Sequence, residues 1–494
     1  MKLNSLLRSL GGSAAGDAAA GLEIVDVTLD SRSAGPGVLF AALPGTRDDG
    51  ARHAADALAR GAAAVLTPRA LSLAAPQWVH PEARAVAGRA AGLVHGEPTG
   101  AQRVVGVTGT NGKSTVAHLT GALLCRAGHR PAVVGTVEVA LWNDAPRPAS
   151  HTTPDGPTLQ RLARANLERG GDAFALEASS HALDQERLAG FGLDVAAFTN
   201  LGRDHLDYHA DLEAYARAKE RIFTHVKKGG AAVVNADDAA GERMTRAARS
   251  AGARVFTYGT RSNADLSATL TEVGPSGTTM FLEGMGIPRT GLFLPLVGRH
   301  NVENALAALA AVLFLGASPS TLIAGLASLT APRGRLQPID TGERGFQVFV
   351  DYAHTPDALE RVLATLRGFV TTGTEAPTGR LFCVFGCGGN RDRDKRAPMG
   401  AAVGRWADLA LVTSDNPRDE EPLAIIEDIL PGLEGGRAAV VVEPDRRSAI
   451  ARALHEARAG DIVLVAGKGH EAWQQLRSER IPFEDPRVVL EELG

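Results

Sequence analysis

The stretch VVGVTGTNGKSTVAHLTGALL, residues 104–124, decides how the rest of the chain is read. An apolar, β-branched run leads into Gly109, Thr110, Asn111 and Gly112, and Lys113, Ser114 and Thr115 then open a helix-like segment. Strand, tight turn and helix in that order make a cradle for phosphate. Glycines let main-chain N–H groups turn toward an anion, and the helix N-terminus adds positive potential. Lys113 can reach the outer phosphate oxygens, and Ser114 is placed to coordinate Mg²⁺. The generic spacing is not met, because Val107 stands where the first glycine would be; the cradle starts at Gly109. A glycine-rich turn that binds nothing would have no use for Lys-Ser at the helix start or for the polar Thr108, Thr110 and Asn111.

Outward from this loop, strand-like apolar runs alternate with alanine-rich helical stretches from about Val104 to the end. That alternation predicts an α/β fold with a parallel sheet covered by helices. A chain of 494 residues is too long for one compact core and favours about three domains. Two breaks carry turn residues: HGEPTGAQ, 95–102, and TAPRGRLQPID, 330–340. They predict a smaller N-terminal α/β domain over 1–100, a central phosphate-loop domain over 101–335 and a Rossmann-like domain over 336–494. GFVTTGTEAPTGR, 368–380, reads as a long surface loop inside the last of these. There is no tandem repeat, low-complexity tract or sustained heptad.

The composition, 44% hydrophobic and 22% charged, is that of a soluble globular protein. A net charge of -4 gives no basic surplus for nucleic acid or an acidic membrane, so neither partner is expected. Cys125, Cys383 and Cys387 cannot build a disulfide framework and lack zinc-ligand spacing, which predicts a reducing cytoplasm. The opening MKLNSLLRSLGGSAAGD reads as a helix rather than an export signal, and no apolar run approaches the roughly 20 residues of a membrane span.

Further motifs follow in order: LDSRSAGPGVLF (29–40), TTPD (152–155), EASSHAL (177–183), NLGRDHLDYH (200–209), GRHNVENALAA (298–308), DYAHTPDAL (351–359), GCGGNRDRDKR (386–396), DNPR (415–418) and AGKGHE (466–471). With TGTNGKST they span nearly the whole chain, and in this order the sequence resembles the Mur ligases and their folylpolyglutamate-synthase relatives. The resemblance implies an ATP-dependent, amide-forming ligase of peptidoglycan precursor synthesis. Its expected reaction joins meso-diaminopimelate to the D-Glu carboxylate of UDP-N-acetylmuramoyl-L-alanyl-D-glutamate through an acyl phosphate. A monomer is expected.

Joining a carboxylate to an amine this way brings two anions together, so the site needs cations more than a nucleophile. The resemblance implies Mg²⁺, two ions, held by Ser114, Glu177, His205 and a carbamylated Lys219. Composition alone would not select Lys219, a lone lysine in the helix-like ADLEAYARAKERIF. Carbamylation makes sense only for an amine kept neutral by burial and neighbouring cations. Gly109 to Thr115 with Asn301, Asn304, Asp351 and Arg335 are the implied ATP contacts, Arg335 stabilising the γ-phosphate; a helix N-cap would also explain Asn301. Leu29, Ser31, Thr46, Arg47 and Asp48 match positions that hold the uridine nucleotide. Thr152, Thr153, Ser179, Gln185 and Arg187 match contacts to the sugar and peptide. The family pattern often has Asn ahead of the two threonines, where this chain has His151.

The amino-acid pocket is implied by Arg391, by Asp415, Asn416, Pro417 and Arg418, and by Gly467 and Glu471. Diaminopimelate carries a second carboxylate that Arg391 and Arg418 can grip with paired N–H donors, whereas lysine offers nothing there. Lysine-adding relatives lack the arginine of DNPR. Folylpolyglutamate synthases are expected to lack the N-terminal DSR domain, DNPR and GKGHE. A module that hydrolyses ATP without making a bond would need the phosphate loop but not Glu177, Lys219 and DNPR.

Overall fold

The computed structural model describes residues 1–15, 21–45, 48–149, 151–205, 208–370 and 379–494. Thr46 and Arg47, two of the expected uridine contacts, lie outside the described residues, as does 371–378 of the expected surface loop. The chain forms two compact units, one of residues 1–269, 280–292 and 302–328, the other of 270–279, 293–301 and 329–494. Among the described residues no helix is long and apolar enough to cross a membrane.

In the first unit, the N-terminal segment Leu3–Leu10 is a helix, as its pattern predicts. It accompanies a five-stranded sheet whose strands run in the order 13–15, 77–79, 64–67, 38–41, 26–28. Trp78, fully buried, fixes one edge by donating its indole N–H to Gly11 O at 2.9 Å. The central sheet holds six parallel strands side by side: 254–259, 226–235, 193–198, 103–108, 173–177 and 131–134. Both faces of such a sheet are covered, so its strands read as unbroken apolar runs rather than alternating ones. Strand Arg103–Thr108 shows this directly, buried at every residue after Arg103.

The chain leaves strand 103–108 toward one side and later returns to its other side. Glu177 pairs with Val107 on one flank and Phe198 with Thr108 on the other. Such a reversal opens a crevice at the carboxyl ends of the strands, where ligands of α/β sheets bind. The linker at 95–102 is tied to this sheet. Lys227 Nζ donates to Thr99 O at 2.6 Å, Gln102 O at 3.1 Å and Asp194 at 2.7 Å.

The second unit has a six-stranded sheet in the order 337–339, 347–351, 462–466, 381–385, 409–412, 439–442. All neighbours are parallel except the first pair. Cys383 and Cys387 are buried in its core and carry no disulfide. The fully buried Arg446 makes a bidentate pair with the fully buried Asp485, at 2.8 and 2.7 Å. Its remaining N–H groups reach Ala466 O at 2.9 Å and Ser414 O at 3.4 Å. Truncating one partner leaves a bare charge in the core. Asp485→Ala should cost about 3–5 kcal/mol of this unit's stability, read as earlier denaturant unfolding and faster hydrogen exchange along strand 462–466.

Candidate active site

The phosphate loop leaves strand 103–108 and is held on all sides by groups distant in sequence. Gly109 and Gly112 sit at φ +155° and +86°, conformations that L side chains rarely adopt. A Cβ at Gly109 would lie 1.8 Å from Thr199 Oγ1, and one at Gly112 2.3 Å from Asn304 Oδ1. Asn304 thus stands against the loop. The Asn200 carboxamide accepts from Asn111 N–H at 2.9 Å and donates to Asn111 O at 3.1 Å. Thr199 Oγ1 donates to the same carbonyl at 2.6 Å. Helix Lys113–Arg126 starts directly behind, with Ser114 and Thr115 buried and Lys113 Nζ folded back onto Gly109 O and Thr110 O, both at 2.8 Å. Asn301 lies inside helix Arg299–Phe314, two residues past its start, and donates to Val297 O at 3.0 Å; it is not the N-cap.

Glu177 ends its strand almost fully buried. Thr136 engages both carboxylate oxygens, through its N–H at 2.6 Å and its hydroxyl at 3.0 Å. Thr153 Oγ1 donates to Glu177 O at 2.7 Å and accepts from Ser179 N–H at 3.0 Å. The TTPD and EASS motifs are therefore one hydrogen-bonded unit. Gln185 and Arg187 continue it: Arg187 donates to Thr153 O at 2.7 Å and to Gln185 Oε1 at 2.9 Å. Leu29, His151, Gln185 and Arg187 line one cleft together with Leu43 and Arg84. Ser31, in a short 3₁₀ turn, and Asp48, paired with His53 at 2.5 Å, are not among its lining residues.

Lys219 lies on helix Leu212–Glu220, nearly inaccessible to solvent, with its Nζ 4.2 Å from the centre of the Tyr215 ring. Burial pushes its pKa well below that of a free lysine; neighbouring Lys113 adds to the effect and Asp204 opposes it. Tyr215 OH is 3.2 Å from Thr110 Oγ1, which links this helix to the phosphate loop. His205, at φ +54°, presents its ring 6.1 Å from Tyr215 and 4.8 Å from His181. Among the described residues no three His, Cys, Asp or Glu side chains form a metal-ligating group by themselves. The donors Ser114, Glu177 and His205 fit a hard cation as a mixed set. Glu177's oxygens keep lone pairs beyond the bonds to Thr136, and further oxygens are left for substrate and water to supply. Lys219 suits a second cation only as a carbamate.

In the second unit the expected amino-acid residues follow the ends of two strands that flank strand 381–385. Asp415 and Asn416 follow strand 409–412, and Gly467 to Glu471 follow strand 462–466. A Cβ at Gly467, φ +114°, would lie 2.7 Å from Asp415 Oδ2. Asn416 donates to Glu471 at 2.7 Å, and the fully buried Lys468 holds Asn416 Oδ1 and Glu471 Oε2, both at 3.2 Å. Arg418, at φ +53° after Pro417, donates to Gly389 O at 2.7 Å. Burial, and after it the nearby Arg391 guanidinium, lowers the pKa of Arg418. The carboxylates of Asp415 and Glu471, with Tyr352, oppose both effects. Arg335 stacks on Tyr352 at 4.7 Å and opposes the burial that raises the pKa of Asp351. Asp351 in turn accepts from Leu336 and Ala353 N–H at 2.5 and 2.7 Å.

Three family signatures cover this architecture: the Mur ligase family catalytic domain over residues 23–104, the Mur ligase middle domain over 107–312, and the Mur ligase glutamate ligase domain over 334–469. The UDP-N-acetylmuramoyl-L-alanyl-D-glutamate–2,6-diaminopimelate ligase of Gloeobacter violaceus is 41% identical over 96% of this chain and 94% of its own. The chain belongs to the Mur ligase family. A solved structure of a ligase of that same name superposes with a TM-score of 0.70 at 36% identity, covering 100% of this chain and 98% of its own. The Mur ligase from Thermotoga maritima solved with ADP, MurF, shares the fold at 20% identity, with a TM-score of 0.62 over 95% and 96% of the two chains.

The sequence motifs did not reach Thr136, Thr199 or Tyr215, and they contained Asn200 and Lys468 without assigning either a role. Because the loop has no room for a side chain at either glycine, Gly109→Ala and Gly112→Ala should each weaken ATP binding at least about tenfold. Calorimetric titration with a non-hydrolysable ATP analogue checks this, with the melting temperature as a control for folding.

Proposed function

We propose that this Mur ligase uses ATP to join meso-diaminopimelate to the D-Glu carboxylate of UDP-N-acetylmuramoyl-L-alanyl-D-glutamate, releasing ADP and phosphate. The observation that carries the choice of amino acid is Arg418 beside Arg391, with Glu471 alongside. A second carboxylate satisfies the two guanidiniums and an ammonium satisfies Glu471. Lysine has no second carboxylate to offer them.

In this reading the cradle from Gly109 to Thr115, with Asn301, Asn304 and Asp351, binds ATP. Lys113 and Arg335 draw charge from the γ-phosphoryl group. Leu29, Ser31, Asp48 and the Thr152, Thr153, Ser179, Gln185 and Arg187 set hold the UDP substrate so that its D-Glu carboxylate oxygen meets phosphorus in line. The bond to ADP breaks as the acyl phosphate forms. The amine of diaminopimelate, oriented by Asn416, Asp415 and Glu471 and allowed close by Gly467, then attacks the carbonyl carbon, loses its proton and expels phosphate. Ser114, Glu177 and His205, with carbamylated Lys219, would hold Mg²⁺, which when bound neutralises phosphate charge. The domain limits 1–100, 101–335 and 336–494, a cytoplasmic location and a monomeric state complete the reading.

Phosphate release with ATP, Mg²⁺ and UDP-muramoyl-L-Ala-D-Glu, comparing meso-diaminopimelate, L-lysine and no amino acid, tests it. A UDP-tripeptide should form only with diaminopimelate; equal use of lysine would remove the role given to Arg418. Arg418→Ala should lower kcat/KM for diaminopimelate by roughly 10–100-fold and leave ATP affinity unchanged.

Lys219 carries a second expectation. A lysine whose pKa is lowered is neutral where a free lysine is charged, so it reacts with CO₂ at a pH that leaves surface lysines untouched. Activity should fall when bicarbonate is stripped at mildly acidic pH and return when bicarbonate is restored. Lys219→Arg should be inactive in both conditions.

A further inference from the structure

Thr136 stands between two groups that the proposed function assigns to different ligands: Glu177, toward the cation and phosphates, and Thr152, toward the UDP substrate. Its hydroxyl lies 3.0 Å from Glu177 Oε2 and 3.0 Å from Thr152 Oγ1, and its N–H donates to Glu177 Oε1 at 2.6 Å. One hydroxyl has one proton to give. The Thr152 hydroxyl and the Glu177 carboxylate are both placed to accept it, so the two compete for a single proton. The direction that proton takes, toward Thr152 or toward Glu177, is the variable.

Two consequences follow from that direction. The grip on both oxygens fixes the plane of the Glu177 carboxylate, which a single bond would leave free to rotate. When Thr152 receives a donor from elsewhere, its oxygen makes less call on the Thr136 proton, which then serves Glu177. The UDP-linked peptide carries amide N–H groups, and the sugar carries hydroxyls. Thr153, next in sequence, holds the main-chain carbonyl of the same Glu177 at 2.7 Å. Anything that settles on the 152–153 pair therefore acts on both ends of Glu177.

We infer that Thr136 is a positioning residue that couples occupancy of the UDP-substrate subsite at Thr152, read through a donor on the substrate, to the orientation of the Glu177 carboxylate. The inference rests on the function proposed above. It makes the UDP substrate an activator of the phosphate site as well as a reactant: binding of substrate polarises the chain toward Glu177, and a well-set Glu177 tightens the substrate's hold in return. Thermodynamic linkage requires that the coupling be felt equally from both sides.

Thr136→Val keeps the shape and the N–H but removes the hydroxyl, while Thr136→Ser restores it. Calorimetry of the intact enzyme, without diaminopimelate, would measure the affinity for UDP-muramoyl-L-Ala-D-Glu with and without a non-hydrolysable ATP analogue and Mg²⁺, and steady-state assays would give kcat against Mg²⁺ concentration. For wild type each ligand should tighten the other. For Thr136→Val that mutual gain should shrink about tenfold, the loss of one charge-assisted hydrogen bond. The Mg²⁺ requirement should rise and the affinity for nucleotide alone should stay as in wild type; Thr136→Ser should recover both. Unchanged coupling and Mg²⁺ dependence in Thr136→Val would overturn the inference. Failure of wild type to bind the UDP substrate at all would instead overturn the functional reading beneath it.

Discussion

A cradle of main-chain N–H groups can hold phosphate only while its own backbone is held still, and everything in the first unit depends on how that is done. The loop cannot fix itself, since glycines at two of its positions give it more freedom than any other residue would. Stiffness comes from the neighbouring strand. Asn200 satisfies the N–H and the C=O of Asn111 with one planar group, and Thr199 adds a second donor to the same carbonyl. Both follow strand 193–198, which lies beside strand 103–108 because the chain reversed direction around it. The switch in strand order thus opens the crevice and also delivers the clamp that makes the loop a binding site.

This explains which parts of the site were legible in the sequence. The glycines, Lys113, Ser114 and the strand–turn–helix pattern are local, and the structure has them as read. Glu177, TTPD and DNPR were reached through motif resemblance, and the structure adds why they travel together: Thr153 and Thr136 bond Glu177 across 24 and 41 residues. Thr136 lies in no motif, and Asn200 and Lys468 lie in motifs that do not say what they hold. An asparagine after a strand or a threonine after a glycine is ordinary until the strand order says what it faces. For Asn301 the structure removes an alternative: the helix begins at Arg299, so the cap that would also explain this residue is not there.

Lys219 marks the limit of pattern reading. On a short amphipathic helix a lone lysine belongs on the solvent face, yet here it shares the buried face with Tyr215, Ala216 and Ala218. A permanent ammonium there would lack water and would face Lys113. Cation–π contact with Tyr215, about 2 kcal/mol or more for a desolvated pair, offsets only part of that cost. Physical chemistry leaves the neutral amine as the form that burial favours, and a neutral amine beside a cationic phosphate loop is a nucleophile toward CO₂. A carbamate at this position would reverse the sign of the residue and turn a repulsion with Lys113 into an attraction.

The buried Arg446–Asp485 pair poses the same question in the second unit: why keep charges in a core that apolar residues could fill at no loss of stability? The answer lies in the other bonds of Arg446. Ser414 lies just past strand 409–412 and Ala466 ends strand 462–466, where the chain enters the DNPR and GKGHE loops. An apolar replacement would fill the space but remove the donors that these two carbonyls receive from Arg446. Arg446 meets both, and Asp485 is what allows a guanidinium to remain there. One charge pair thereby sets the spacing between the two loops that carry Asn416 and Glu471, so the core of this unit fixes the geometry of its amino-acid pocket.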